Sequence, residues 1–284
     1  MALILDGKAQ AAIIKEQVQT SIKNIPDNKE KPCMAIVQVG DDPASTIYIR
    51  QKEKACNEVG MTFKKVALPE DITQEAILAE IDALNNDPTV SGFMVQQPLP
   101  SHLDADEIVE RTIPHKDVDC LHPHNVGLAA ESRGSLLPCT PAGVMELLDA
   151  YNINLGGKHC VVMGCSRIVG KPLGLMMLNR GATVTYCHSR TENLPEITKQ
   201  ADVLAVAIGS PKFVTADMIK PGCVLIDVGI NRIEDGSNGN KICGDVDYED
   251  CLNKTSYITP VPGGVGPMTV AMLVLNGLKA WENQ

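Results

Sequence analysis

The sequence predicts an α/β protein of two domains, each built on a parallel sheet, the second of them doubly wound. Three observations carry this reading. Short, nearly continuous apolar runs such as CMAIVQV (33–39), HCVVM (159–163) and CVLIDVG (223–229) alternate with longer segments of helical periodicity, the pattern of strands covered on both faces by helices. A loop-rich stretch crowded with Pro, Gly and His, from QPLPSHLD through PHKDVDCLHPHNVG to RGSLLPCTP, divides the chain near its middle. The length, 284 residues with 44% hydrophobic side chains, is enough for two medium domains with separate cores.

Taken in order, Ile14, Val18, Ile22 and Ile25 recur at near-helical spacing, so a helix precedes the strand at 33–39. The pattern then repeats as a helix from about Pro43 to Val59, a strand in TFKKVAL (62–68), a helix from Thr73 to Leu84, and a strand in VSGFMVQ ending at Gln96. Beyond the loop-rich divide come a helix at PAGVMELLDAY, the strand HCVVM, and a helix from about Val169 to Leu178. The strand ATVTYC, a short helix, the strands DVLAVAIG and CVLIDVGI, and the segment SYITPVP follow. The last segment, MTVAMLVLNGLKAWENQ, reads as an amphipathic helix. The expected domains are 1–139 and 140–266, with the helix of 267–284 packing back on the first.

The formal net charge of −10 excludes a nucleic-acid backbone as the main partner, because such proteins need a basic footprint to release counterions. A small metabolite fits better. The ten cysteines contain no CxxC pair and several lie inside apolar runs, which reads as reduced, buried thiols of a cytoplasmic protein rather than a disulfide frame or a metal site. MALILDGKAQ lacks the basic start of a signal peptide, and no apolar run reaches the ~18–20 residues of a membrane span. No metal and no membrane partner are expected.

Candidate chemistry gathers at strand ends. HCVVM runs straight into Gly164-Cys165-Ser166-Arg167-Ile168-Val169-Gly170 and a helix, a glycine turn whose free N–H groups suit a pyrophosphate, although Ser166 stands where GxGxxG has its second glycine and the junction alone is equally a tight turn. The next strand ends in His188-Ser189-Arg190-Thr191, where an NAD-preferring fold places an acid on the ribose 2′-hydroxyl; hydroxyls and Arg190 favour a 2′-phosphate, or form a solvated basic loop. A third loop, Asp227 to Arg232, follows another strand, and closure over the nicotinamide end is one role open to it. On the helix of 43–59, Tyr48, Lys52 and Cys56 share a face, so Lys52 is either a general acid/base with a lowered pKa or a surface lysine shielding an aromatic. Gln96 either serves the site or caps its strand, and Asp119 is a ligand or a turn residue.

Taken together, YIRQK (48–52), VQQPLP (95–100), KDVDCLHPHNVG (116–127), PCTPAGV (138–144), GCSRIVGKP (164–172), DVGINR (227–232) and TPVPGGVGPMTVAML (259–273) resemble, in order and spacing, the methylenetetrahydrofolate dehydrogenase/cyclohydrolase family of bacterial FolD type. The resemblance covers essentially the whole chain. It implies a Rossmann-like C-terminal domain holding NADP, folate in a cleft, and a homodimer. It also implies oxidation of 5,10-methylenetetrahydrofolate to the methenyl form and hydrolysis of that to 10-formyltetrahydrofolate. Residue by residue, Lys52 resembles the catalytic lysine, Tyr48 its companion on the substrate, Gln96 the partner that orients it, and Asp119 the residue holding the pterin. Val95 and the Pro262-Gly263-Gly264-Val265-Gly266 loop are similar to folate contacts, and Gly164, Cys165, Ser166, Ser189, Arg190 and Ile230 to the cofactor site. Three positions depart from the pattern: Gln97 where Leu is expected, Cys120 where Gly is expected, and Cys165 where many members have Arg or Ala.

Two rival readings are a dehydrogenase of the amino-acid or shikimate type and a non-catalytic folate- or dinucleotide-binding protein. The PVPGGVGPMT loop and the YIRQK helix argue against the first. The presence of both Lys52 and Asp119 argues against the second.

Overall fold

The computed structural model describes residues 2–235 and 239–284. The chain opens with β1 (Leu3–Ile4) and α1 (Gly7–Lys23), then runs β2 (Cys33–Val39), α2 (Pro43–Val59), β3 (Thr62–Leu68), α3 (Gln74–Asn86) and β4 (Gly92–Val95). Helices α4 (Ala105–Arg111), α5 (Pro123–Ala130) and α6 (Cys139–Ala150) follow. The next elements are β5 (His159–Met163), α7 (Gly170–Asn179), β6 (Thr183–Cys187), α8 (Leu194–Thr198), β7 (Val203–Val206) and β8 (Val224–Asp227). The chain closes with β9 (Asn231–Asp235), β10 (Gly239–Cys243), α9 (Tyr248–Cys251), β11 (Tyr257–Ile258) and α10 (Val265–Glu282).

Two compact units result: residues 12–139 with 270–284, and residues 1–11 with 140–269. In the first unit a three-stranded parallel sheet has the order β3-β2-β4. Its central strand β2 is buried along its whole length, whereas the edge strand β3 is only partly covered, which is why β2 is continuously apolar and β3 carries Lys64 and Lys65. The chain leaves β2 to one side for β3 and returns to the other side for β4, so the C-terminal ends of β2 and β4 flank a switch point, the usual place for a site in such sheets. Helix α2 has the local signals of a well-defined helix: Asp42 caps the Ser45 N–H, Pro43 stands at the first turn, and Gly60 ends it at φ +81°. Asn276, fully buried on α10, donates to the carbonyls of Val118 and Leu137, each at 2.8 Å, and so ties the C-terminal helix into this unit.

In the second unit six parallel strands take the order β1-β11-β8-β7-β5-β6. The order reverses between β5 and β7, placing the loops after these two strands side by side. Residues 2–11, expected with the N-terminal domain, pack with this unit: β1 pairs in parallel with β11 (Leu3 with Tyr257, Ile4 with Ile258) and Ala2 joins its core. The loop-rich middle stretch also holds two short helices. Asp104 caps α4 through the N–H groups of Asp106 and Glu107, and the His122 ring accepts the His124 N–H at the start of α5. The antiparallel hairpin β9–β10 is a further element that sequence periodicity did not announce.

All ten cysteines are free thiols, nine of them buried and Cys165 half-buried. Among the described residues no helix is long and apolar enough to cross a membrane, and no group of three or more His, Cys, Asp or Glu is placed to hold a metal ion.

Candidate active site and cofactor loops

In the first unit, α2 carries a stripe that runs from surface to core: Tyr48 is 37% exposed, Lys52 half-buried and Cys56 fully buried, with its Sγ 3.9 Å from Met34 Sδ. Lys52 Nζ donates to Gln96 Oε1 at 2.8 Å and to Met94 Sδ at 3.3 Å. Gln96 Nε2 in turn donates to the Gln97 carbonyl at 2.6 Å, which fixes the amide so that its oxygen faces the ammonium. Met94 and Gln96 lie two apart along β4 and its end, so both point to the α2 face. Both acceptors are neutral, and burial lowers the Lys52 pKa; the charge of Asp119 opposes the shift. This is the environment a proton-transferring lysine requires.

Asp119 is half-buried and lines a small cavity with Phe93, Met94, Val95, Val109, Thr112, Asp117 and Leu121. The Cys139 thiol, buried and donating to the Val118 carbonyl at 3.4 Å, is pushed well above its ordinary pKa by burial, with the nearby Asp119 charge adding to the shift; it is a neutral wall of the site. Cys120, beside Asp119, adopts φ +58°, the left-handed conformation that favours glycine, which explains why its position resembles one expected to hold Gly. Lys52, Gln96, Val95 and Asp119 therefore come together, with Tyr48 on the same helix face. Met94, Cys139 and Asp117 were not singled out from sequence, although Met94 was accessible through its two-residue spacing from Gln96.

In the second unit the β5–α7 turn is set by close backbone approach. Gly164 has φ +105°, and a Cβ there would collide with the Ala207 carbonyl oxygen after β7; one on Gly170 would collide with the Gly164 carbonyl oxygen. The two loops at the switch point can therefore touch only because glycine lies between them. Ser166 Oγ accepts from the N–H groups of Val169 and Gly170 at 3.2 and 3.3 Å, opening α7 in place of a second glycine. At the end of β6, Ser189 and Arg190 are exposed, and the turn is pinned by His188 N–H to Thr191 Oγ1 at 2.9 Å and Arg190 N–H to His188 Nδ1 at 3.1 Å. No carboxylate occupies this strand end.

After β8, Ile230 is 46% exposed on a loop held by two buried carboxylates. Asp227 accepts from the N–H groups of Gly229, Asp245 and Val246, each at 3.0 Å. Asp245 accepts from Ile208 and Gly209 N–H at 2.7 and 2.9 Å and from Asn231 Nδ2 at 2.8 Å. Gly263, at φ +112°, accepts the Lys8 N–H through its carbonyl at 3.0 Å, and Gly264 N–H donates to Pro260 at 2.8 Å. The Pro262–Gly266 segment is thus tied to the start of α1, with Pro262 exposed and Val265 buried as α10 begins.

Two family models match the chain: the tetrahydrofolate dehydrogenase/cyclohydrolase catalytic domain over residues 5–119, and the NAD(P)-binding domain of the same name over residues 138–284. The chain belongs to the tetrahydrofolate dehydrogenase/cyclohydrolase family. It is 49% identical to the bifunctional protein FolD of Halalkalibacterium halodurans over 98% of each chain. Among solved structures it resembles the FolD methylenetetrahydrofolate dehydrogenase/cyclohydrolase of Campylobacter jejuni (TM-score 0.96, 48% identity, 100% of this chain and 99% of that one). It also resembles the Trypanosoma brucei enzyme complexed with NADP and an inhibitor (TM-score 0.95, 36% identity, 99% and 98%). The shikimate dehydrogenase of Aquifex aeolicus shares the fold at TM-score 0.54 but only 11% identity, so the rival reading has a common architecture and nothing more. The expected family, enzyme class and two-domain α/β fold all stand.

The buried Asp227 yields a prediction. It is 3% exposed, and burial raises its pKa to about 6 against the three N–H groups that favour the carboxylate. A carboxyl whose folded pKa is raised contributes stability that is fully present below its unfolded pKa near 4 and lost as pH rises through 6. Relative to Asp227→Asn, which does not titrate, the native chain should lose about 2 kcal/mol of stability between pH 4 and pH 7. Denaturant melts of both proteins across that range check this; a difference independent of pH would contradict the assignment.

Proposed function

We propose that the chain oxidises 5,10-methylenetetrahydrofolate to 5,10-methenyltetrahydrofolate with NADP and hydrolyses the product to 10-formyltetrahydrofolate. The observation that carries the reading is Lys52, an ammonium buried against the neutral Gln96 and Met94 beside the Asp119 cavity, in a chain matched by both halves of the family. Bound NADP supplies the acceptor for the hydride that leaves the methylene carbon, and the residues present fit it: tight glycine turns, a helix opening at Gly170, and Ser189 with Arg190 where an acid would repel a 2′-phosphate. Gly164, Cys165, Ser166 and Ile230 complete that set.

In the hydrolytic step water adds to the methenyl carbon and the bond from that carbon to one ring nitrogen breaks. A proton must leave the water and another must reach the departing nitrogen. Lys52 is the group for this work, since a lowered pKa brings its amine and ammonium forms closer to equal population. Gln96 orients the lysine. Asp119 accepts hydrogen bonds from the pterin's amino and ring N–H groups, stronger to a carboxylate than to a neutral acceptor. Tyr48 packs on the substrate and Val95 borders its site; Pro262, Gly263, Gly264, Val265 and Gly266 are assigned as further folate contacts. The protein acts in the cytoplasm as a homodimer; the exposed face of edge strand β6, with Tyr186 at its end, supports a covering partner copy.

Lys52→Met keeps much of the side chain's length and removes the ammonium. It should retain measurable dehydrogenase activity and NADP binding while losing cyclohydrolase activity by at least ~10²-fold. Equal losses in both activities, with folding intact, would reduce Lys52 to a positioning role. Arg190→Ala should raise the KM for NADP much more than that for NAD, because only NADP offers a 2′-phosphate to the guanidinium. Equal changes for the two cofactors would remove the assignment.

A further inference from the structure

The loop that carries Asp119 is fixed from both sides, and a single buried side chain does most of the fixing. Asp117, only 5% exposed, spreads three donors over its two oxygens: the Leu121 N–H reaches Oδ1 at 3.2 Å, while the His122 N–H and Asn125 Nδ2 reach Oδ2, both at 2.9 Å. Asn125 Nδ2 also donates to the Pro114 carbonyl at 2.7 Å, closing the far end of the loop. The Asp117 carbonyl accepts the Cys120 N–H at 3.1 Å, and its backbone bridges to Phe93 on β4. Between Asp117 and Asp119, Val118 is fully buried with its carbonyl held by Asn276. After Asp119, Cys120 is locked at φ +58° with its thiol donating to the Leu136 carbonyl at 3.5 Å. Asp117 and Asp119 line the same cavity.

We propose that Asp117 is a positioning residue for the folate substrate, its carboxylate holding the 117–122 turn so that Asp119 faces the cavity in its pterin-binding orientation. The inference rests on the reading of Asp119 given above. Only a carboxylate can do this at 117, since all three partners are donors and an amide would aim its own NH2 at one of them. Burial raises the Asp117 pKa despite these hydrogen bonds; the ion is kept at a cost that an apolar side chain would avoid, so the turn it organises is what it contributes.

The test is a double-mutant cycle in the full-length protein, read by methenyltetrahydrofolate hydrolysis and by methylenetetrahydrofolate oxidation at saturating NADP. Asp117→Asn should raise the KM for folate at least about tenfold in both activities and leave the KM for NADP within about twofold. Combined with Asp119→Asn, it should add less than about threefold to the loss from Asp119→Asn alone, because a residue acting through Asp119 has nothing left to position. If Asp117→Asn does not fold, Asn125→Ala, which removes one of the three donors, should give a smaller folate-specific rise and the same non-additivity. An unchanged folate KM, or losses that multiply in the double variant, would overturn the inference while leaving the activity itself established. A native chain without either activity would overturn both this inference and the function on which it rests.

Discussion

Withdrawing an ammonium group from water without giving it a counter-ion at contact distance is the constraint on which the rest of the site depends. Lys52 reaches Gln96 Oε1 and Met94 Sδ, both neutral, so nothing at contact repays the desolvation and the amine becomes easier to form. Asp119 acts on it only through space. A carboxylate in direct contact would have held the proton and left an inert ion pair. The arrangement needs a rigid frame, because an ammonium so placed would otherwise swing into solvent. The frame is the fully buried strand β2 with β4 beside it, and a helix whose two ends are both capped.

The same economy of means recurs at the loops. Parallel sheets deliver their strand ends to one edge, where backbone N–H groups have no ladder partners, and in this protein buried carboxylates collect them. Asp117 gathers the turn around Asp119, and Asp227 with Asp245 gathers the loops after β7 and β8 and the end of the hairpin. Each of these groups favours a defined loop over maximal stability, as the raised pKa values of Asp117 and Asp227 indicate. Where side chains could not fit, glycine allows backbones to touch, as at Gly164 against Ala207 and Gly7 against Gly264.

Much of this is legible in the sequence itself. The helix of 43–59 and the strand of 62–68 were read at the boundaries the structure has, because capping by Asp42, Pro43 and Gly60 and a clean change of periodicity mark them locally. Lys52 and Gln96, 44 residues apart, were linked only by resemblance, since no local pattern announces a long-range contact. The two-residue strand β1 was not foreseen: Leu3 and Ile4 are too few to show a period, and their pairing with β11 is decided by tertiary packing. Helices α4 and α5 were hidden in Pro- and His-rich sequence, where His122 caps in place of the usual Ser or Asp. Asp117 and Asp245 carry no local mark in the sequence; only burial, which sequence does not display, separates them from exposed acids.

The central claim, that burial against neutral acceptors lowers the Lys52 pKa, is tested most directly by titrating that amine. In protein labelled with ¹³C at lysine Cε, the resonance that disappears in Lys52→Met identifies the group. The account predicts a titration midpoint clearly below the ~10.4 of an ordinary lysine, with the other lysines of the chain as internal references. A Lys52 midpoint at or above theirs would contradict it.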